Sequence, residues 1–130
     1  AEAGTQNVTG IHALSAGLEF ICSRGERAIF DHEVRLRQLL AAALRELPGA
    51  QVWEGTPQTG VLSAVLRNED CEQTAQRLAE HDIAVRAGLH CAPLAHESAG
   101  TLETGTVRFS FSAFNTERQV LKAAEVLRMR

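Results

Sequence analysis

Apolar positions recur along this chain with two periods, about 3.6 and about 2 residues, and the switches between them mark out its elements. Val8, Ile11, Ser15, Leu18 and Cys22 follow the longer period, so a helix is predicted from residue 7 to about residue 24, with Gly25 as its stop. Gly10 and Gly17 weaken that helix unless another surface packs closely against it. A second helix is predicted over residues 26–47, on a seam of Leu36, Leu39, Leu40, Ala43, Leu44 and Leu47, and Pro48-Gly49 ends it. Two short β-rich runs follow, at 51–53 and 61–66, joined by a polar loop containing Pro57 and Gly60. Asn68-Glu69-Asp70 opens a third helix with Cys71, Ala75 and Leu78 on its apolar side, and residues 83–86 are a strand candidate. From Gly88 to Gly105 neither period is present, which predicts an irregular loop. Residues 106–111 alternate as a strand. A last helix starts at Thr116, where Thr-Glu-Arg-Gln fits a capping box, and is expected to bury Val120, Leu121, Ala124 and Leu127.

The order helix, helix, strand, strand, helix, strand, strand, helix does not alternate strictly enough for a doubly wound parallel sheet. An α+β fold suits it better, with a small antiparallel or mixed sheet covered by helices on one face. No internal repeat, linker or low-complexity segment divides the chain. One domain is expected, with the first helix associated with a neighbouring one.

Composition narrows the partners. At 130 residues the chain is long enough to bury a core. A formal charge of -3 argues against a nucleic-acid or anionic-membrane partner, which would want a basic face. No apolar run approaches a membrane span and no signal peptide is visible. The 3 cysteines, Cys22, Cys71 and Cys91, are odd in number and widely spaced, which fits reduced thiols in the cytoplasm. Lys122 is the only lysine, and it is expected on the polar side of the last turns of the terminal helix, as a solvated charge.

Two segments carry candidate chemistry. In Thr106-Val107-Arg108-Phe109-Ser110-Phe111, alternation puts Val107, Phe109 and Phe111 on one face and Thr106, Arg108 and Ser110 on the other. Arg108 then emerges mid-strand between small hydroxyls. That suits a bidentate grip on a carboxylate or phosphate, and equally a salt bridge to the next strand. In Ala87-Gly-Leu-His-Cys91-Ala-Pro-Leu-Ala-His96, Cys91 is displayed in a loop, where a nearby cation would favour its thiolate. Taken alone, the residues also permit a thiol without a role. A metal site of His90, Cys91 and His96 is a further alternative, with His81 or Cys71 as fourth ligand.

Arg86-Ala-Gly-Leu-His-Cys91-Ala-Pro-Leu-Ala-His96, Gly105-Thr-Val-Arg108-Phe-Ser and Phe114-Asn-Thr116 together resemble the C-terminal part of class V aminotransferase-fold enzymes, of the cysteine desulfurase and selenocysteine lyase type. The opening Glu2-Ala3-Gly4-Thr5-x-Asn7 resembles a second motif of that family. The resemblance spans essentially the whole chain. It departs at Leu89, where these desulfurases often carry a second histidine.

The resemblance implies the small C-terminal domain of a fold-type I enzyme, with residues 25–130 as that domain and residues 1–24 leading in from a large one. It implies pyridoxal 5'-phosphate as electron sink. Cys91 takes the place of the loop cysteine that attacks the substrate sulfur and becomes a persulfide. Arg108 takes that of the arginine binding the substrate α-carboxylate. Thr5 takes that of the threonine reaching the cofactor phosphate of the partner subunit in a homodimer. His90 and Arg86 fall in supporting positions, with His90 tuning the thiol. The family's Schiff-base lysine precedes the Gly-Thr motif, so this chain is expected to be the C-terminal portion of a larger enzyme. Alone it is expected to be inactive and to hold no cofactor covalently. A sulfur-acceptor protein is the further partner implied. An aminotransferase or other lyase in which Cys91 is incidental is the alternative within the fold. A sulfur-carrier or metal-binding module is the alternative outside it.

Overall fold

The computed structural model describes residues 4–54, 60–67 and 69–129. Its elements run α1 (Val8–Arg24), α2 (Glu26–Arg45), β1 (Gln51–Trp53), β2 (Val61–Val65), α3 (Cys71–Ala79), β3 (Arg86–Gly88), α4 (Pro93–Ala99), β4 (Thr106–Ser110) and α5 (Glu117–Arg128). The expectations resting on Glu2, Ala3, Pro57 and Asn68 lie outside the described residues.

The four strands form one sheet in the order β1-β2-β4-β3, with every pairing antiparallel. Register decides which side chains share a face. Leu62 lies opposite Phe109 and Ala64 opposite Val107, and all four are buried on the face that α2, α3 and α5 cover. From α2, Leu36, Leu40 and Leu44 enter this core at one-turn spacing, and Val120, Ala124 and Leu127 do so from α5. The fold is therefore α+β, with a helical layer on one face of an antiparallel sheet.

Local chemistry sets the element ends. Asn7 caps α1 by accepting from the Gly10 N–H at 2.9 Å, and Asp70 caps α3 by accepting from Gln73 N–H at 2.8 Å. Thr116 and Gln119 form the reciprocal capping box of α5. Arg77 grips Glu69 through Nε and Nη2 and also donates to the carbonyls of Val126 and Met129, tying α3 to the end of α5. Gly105 is a position where glycine is required. Its φ is +60°, and an added Cβ would lie 3.0 Å from Cys71 Sγ and 3.0 Å from the Gly88 Cα.

Four expectations are corrected. The third strand is residues 86–88, not 83–86, because pairing with β4 fixes the ladder there. Ile83 and Val85 pack on the core from the connection ahead of it. The stretch from Gly88 to Gly105 is not simply irregular: it holds a turn and the short helix α4. Leu121 is 50% exposed, because the buried stripe of α5 runs through Val120, Ala123, Ala124, Val126 and Leu127. Lys122 is exposed in mid-helix, not in the last turns, and donates to the His81 carbonyl at 2.7 Å. Helix α1 buries none of its residues; it meets α2, and its Phe20 stacks on Phe114 with ring centroids 4.9 Å apart.

Candidate active site

The sheet face away from the helices carries a row across all four strands: Trp53, Ser63, Arg108 and Arg86. Alternation on β4 puts Arg108 there while Val107 and Phe109 point into the core. Neither cross-strand neighbour of Arg108 is an acid. Ser63 faces it on one side and Arg86 on the other, and like charges placed opposite one another disfavour the pairing. Arg108 enters no ion pair among the described residues, and its Nε is buried with no hydrogen-bond partner. The salt bridge to a neighbouring strand is thus not made. A buried donor without a partner beside a second guanidinium is a site that an anion completes.

The chain leaves β3 through Gly88 and turns at once. The Ala92 N–H donates to the Leu89 carbonyl at 2.9 Å, closing a four-residue turn around His90 and Cys91. Both central residues have positive φ, 51° and 60°, as in a type I′ turn. That turn favours Asn and Gly; a side chain with Cβ there costs on the order of 1–2 kcal/mol per residue. The turn lifts Cys91 to the surface as an exposed thiol. His90 is directed the other way, its Nε2 lying 3.2 Å from Thr106 Oγ1 on β4.

Behind the turn, Pro93 starts α4 and Gly100, in the left-handed conformation, ends it. His96 points inward from this helix and is 7% exposed. Its Nδ1 lies 2.8 Å from Thr101 Oγ1, and its ring is centred 5.9 Å from that of His90. His90 is held below its ordinary value, first by loss of hydration on burial and then by the positive charge of Arg108, with His96 and Arg86 adding to it. A neutral imidazole thus sits behind the thiol, in a field set by two arginines.

The structure gathers Arg86, His90 and Arg108 at the β3–β4 edge and carries Cys91 on the turn from that edge. Thr5 stands apart, exposed in the lead into α1, whose main contact is α2. Sequence reading weighed His96 only as a metal ligand and did not single out Thr101. Among the described residues, no group of three or more His, Cys, Asp and Glu is placed to hold a metal ion. The signal for α4 was present in Pro93 and Gly100, seven residues apart, and would have put His96 on a helix face. A groove of about 850 Å³ lies elsewhere, at the ends of α2 and α5. Two of its three arginines, Arg77 and Arg128, are engaged by Glu69 and Glu46.

The donor set fits part of a phosphate- or carboxylate-bearing cofactor site. Arg86 and Arg108 offer forked donors to an anion on the open face. Covalent anchorage of an aldehyde cofactor does not fit. Lys122 is on α5, in the helical layer across the sheet from that face, with its amine bound to a backbone carbonyl.

The profile of the aminotransferase class-V family matches residues 1–122 of the chain. A probable cysteine desulfurase of Pseudomonas putida is 36% identical over 126 residues, covering 97% of this chain and 31% of that protein. A cysteine desulfurase of Synechococcus elongatus is 38% identical over 128 residues, covering 98% of the chain and 20% of that protein. Among solved structures, the cysteine desulfurase CsdA of Escherichia coli, in an S-sulfonic acid form, superposes with a TM-score of 0.86 at 31% identity, covering 97% of this chain and 31% of that one. The apo cysteine desulfurase of Thermococcus onnurineus superposes at 0.87, also at 31% identity, covering 97% and 32%. The chain spans about a third or less of the length of these relatives.

Proposed function

The chain belongs to the aminotransferase class-V family, and we propose that it is the C-terminal small domain of a cysteine desulfurase. Residues 25–130 form that domain, and residues 1–24 lead in from a large cofactor domain. The observation that carries this reading is Arg108, a guanidinium with a buried, unpartnered Nε on the open sheet face. It shares the β3–β4 edge with the strained turn that displays Cys91. Exposed Val8, Ile11, Leu14 and Leu18 recur along one side of α1, with exposed Phe114 stacked on its Phe20, and this apolar stripe supports a larger assembly.

In the reaction, Arg108 holds the α-carboxylate of cysteine through two parallel hydrogen bonds, and this fixes the direction in which the substrate's sulfur points. Arg86 adds positive charge on the same row. Pyridoxal phosphate, when bound, supplies the electron sink for the pair released toward the substrate carbon. The Cys91 thiolate attacks the substrate sulfur. A sulfur–sulfur bond forms as the carbon–sulfur bond breaks, the carbon gains a proton, and alanine leaves with Cys91 as the persulfide. The thiol proton leaves to solvent from the exposed turn, and neutral His90 supports that turn from behind through Thr106 Oγ1. Thr5 serves the cofactor phosphate of the partner subunit in a homodimer, and a sulfur-acceptor protein in the cytoplasm receives the persulfide sulfur from the exposed turn.

The test uses the full-length parent. Cys91→Ala should abolish sulfide release from cysteine in the presence of reductant, while cysteine binding stays within about twofold, because Arg108 is untouched. Sulfide released at the parent's rate by the variant would rule out the desulfurase reading.

A further inference from the structure

The turn that displays Cys91 holds two consecutive non-glycine residues at positive φ, and such a conformation persists only where its surroundings over-determine it. Two ties act on it. One is direct, from His90 Nε2 to Thr106 Oγ1 on β4. The other passes behind it: the buried His96 sets its ring 5.9 Å from that of His90 and bonds through Nδ1 to Thr101 Oγ1. Thr101 is itself 3% exposed, and its N–H donates to the His96 carbonyl at 2.8 Å, so the two residues are joined by both side chain and backbone. The Thr101 carbonyl then accepts from the Gly105 N–H at 2.9 Å, immediately ahead of Thr106. The contacts close a ring from His90 through His96, Thr101 and Gly105 to Thr106 and back to His90.

We propose that His96 and Thr101 are positioning residues that hold the Cys91 turn at a fixed place relative to Arg108. The proposal rests on Cys91 being the nucleophile. Neither residue touches substrate; each acts through the turn. Opening the Thr101–His96 bond lets α4 and the turn relax toward ordinary φ, moving the thiol while leaving Arg108 on its strand. A displacement of about 1 Å at a reacting atom lowers rate far more than it lowers binding.

The test is made in the full-length holoenzyme with Thr101→Val, which keeps the shape and removes the hydroxyl, and Thr101→Ser, which restores it. Thr101→Val should lower kcat for sulfur release by about tenfold or more with KM for cysteine within about twofold. It should also change the rate of Cys91 alkylation by iodoacetamide about threefold or more, read by peptide mass spectrometry against the parent enzyme treated identically. Thr101→Ser should return both readouts to the parent's values. If Thr101→Val does not fold, His96→Asn, which keeps a polar atom near the Nδ1 position, is compared with His96→Leu, and only the latter should lose rate. An unaltered kcat and alkylation rate in Thr101→Val, or equal loss in Thr101→Ser, overturns the proposal. So does equal loss in His96→Asn and His96→Leu. A parent that releases no sulfur from cysteine refutes the desulfurase reading alone, because the alkylation rates still decide whether the turn is held.

Discussion

Replacing Arg108 by methionine should make the chain more stable while removing its grip on substrate. Methionine keeps the unbranched stem and much of the volume, so contacts along the strand survive. Two unfavourable features disappear. A buried donor left without a partner costs about 1–3 kcal/mol, and Nε of Arg108 is such a donor. A like charge directly across the ladder costs roughly 0.2–1 kcal/mol, and Arg86 occupies that position. Against these stands the hydration of the outer guanidinium nitrogens, on a side chain that is only partly buried. A net gain of about 1 kcal/mol is expected, which raises the melting temperature by about 3–5 °C for a chain of this size. Circular dichroism melts of chain and variant in one buffer measure it. Added salt should shrink the part due to Arg86 and leave the part due to the orphaned donor. In the parent enzyme the same substitution should weaken cysteine binding by about 30-fold or more, since a desolvated charged pair carries about 2–5 kcal/mol. Arg108→Lys should recover little, because an ammonium lacks the planar fork. A methionine variant that melts at or below the parent temperature would show that Arg108 already has the partners it needs, and the argument for an anion site would fall.

Three further outcomes follow from the same geometry. Gly105→Ala should lower stability by at least about 1–2 kcal/mol, since φ of +60° and contacts at 3.0 Å both oppose a Cβ, and an unchanged urea midpoint refutes this. His90 lies below its ordinary value of 6.5 in the fold, so the unfolded chain binds more protons as pH falls below about 6.5. Stability should therefore be level above about pH 7 and decline from about pH 6.5 downward, and a His90→Asn variant with the same decline would contradict the assignment. Incubating the chain with pyridoxal phosphate and borohydride should give no stoichiometric adduct at Lys122, whose amine is held by the His81 carbonyl; peptide mapping reads the outcome.

Where a side chain's period is long enough, the sequence named its place. The α2 seam, the alternation of β4 and the Thr116 capping box all appear where spacing and cap chemistry put them, because each is decided by neighbours within one or two turns. The third strand slipped because Ile83 and Val85 carry β character, yet hydrogen bonding to β4 begins only at Arg86. Periodicity reports burial, and burial there comes without pairing. Helix α4 escaped because seven residues cannot display a period, and its one inward side chain is a histidine in place of an apolar residue. At the site, Arg108 was legible from alternation and Cys91 from its exposed setting. The facing of Arg86 on Arg108 and the His96–Thr101 tie are long-range outcomes of register and turn geometry, which no local pattern encodes.

Strand β4 places its core residues and its site residues on alternate positions, Val107 and Phe109 on one side, Thr106 and Arg108 on the other. Substitutions on the two sides are therefore close to additive, since side chains on opposite faces share few neighbours. Evolution, or a protein engineer, can exchange Arg108 and its row to recognise a different anionic substrate while the hydrophobic half of the strand goes on holding the domain together. One five-residue segment thus keeps the positions that hold the core apart from the positions whose exchange alters recognition.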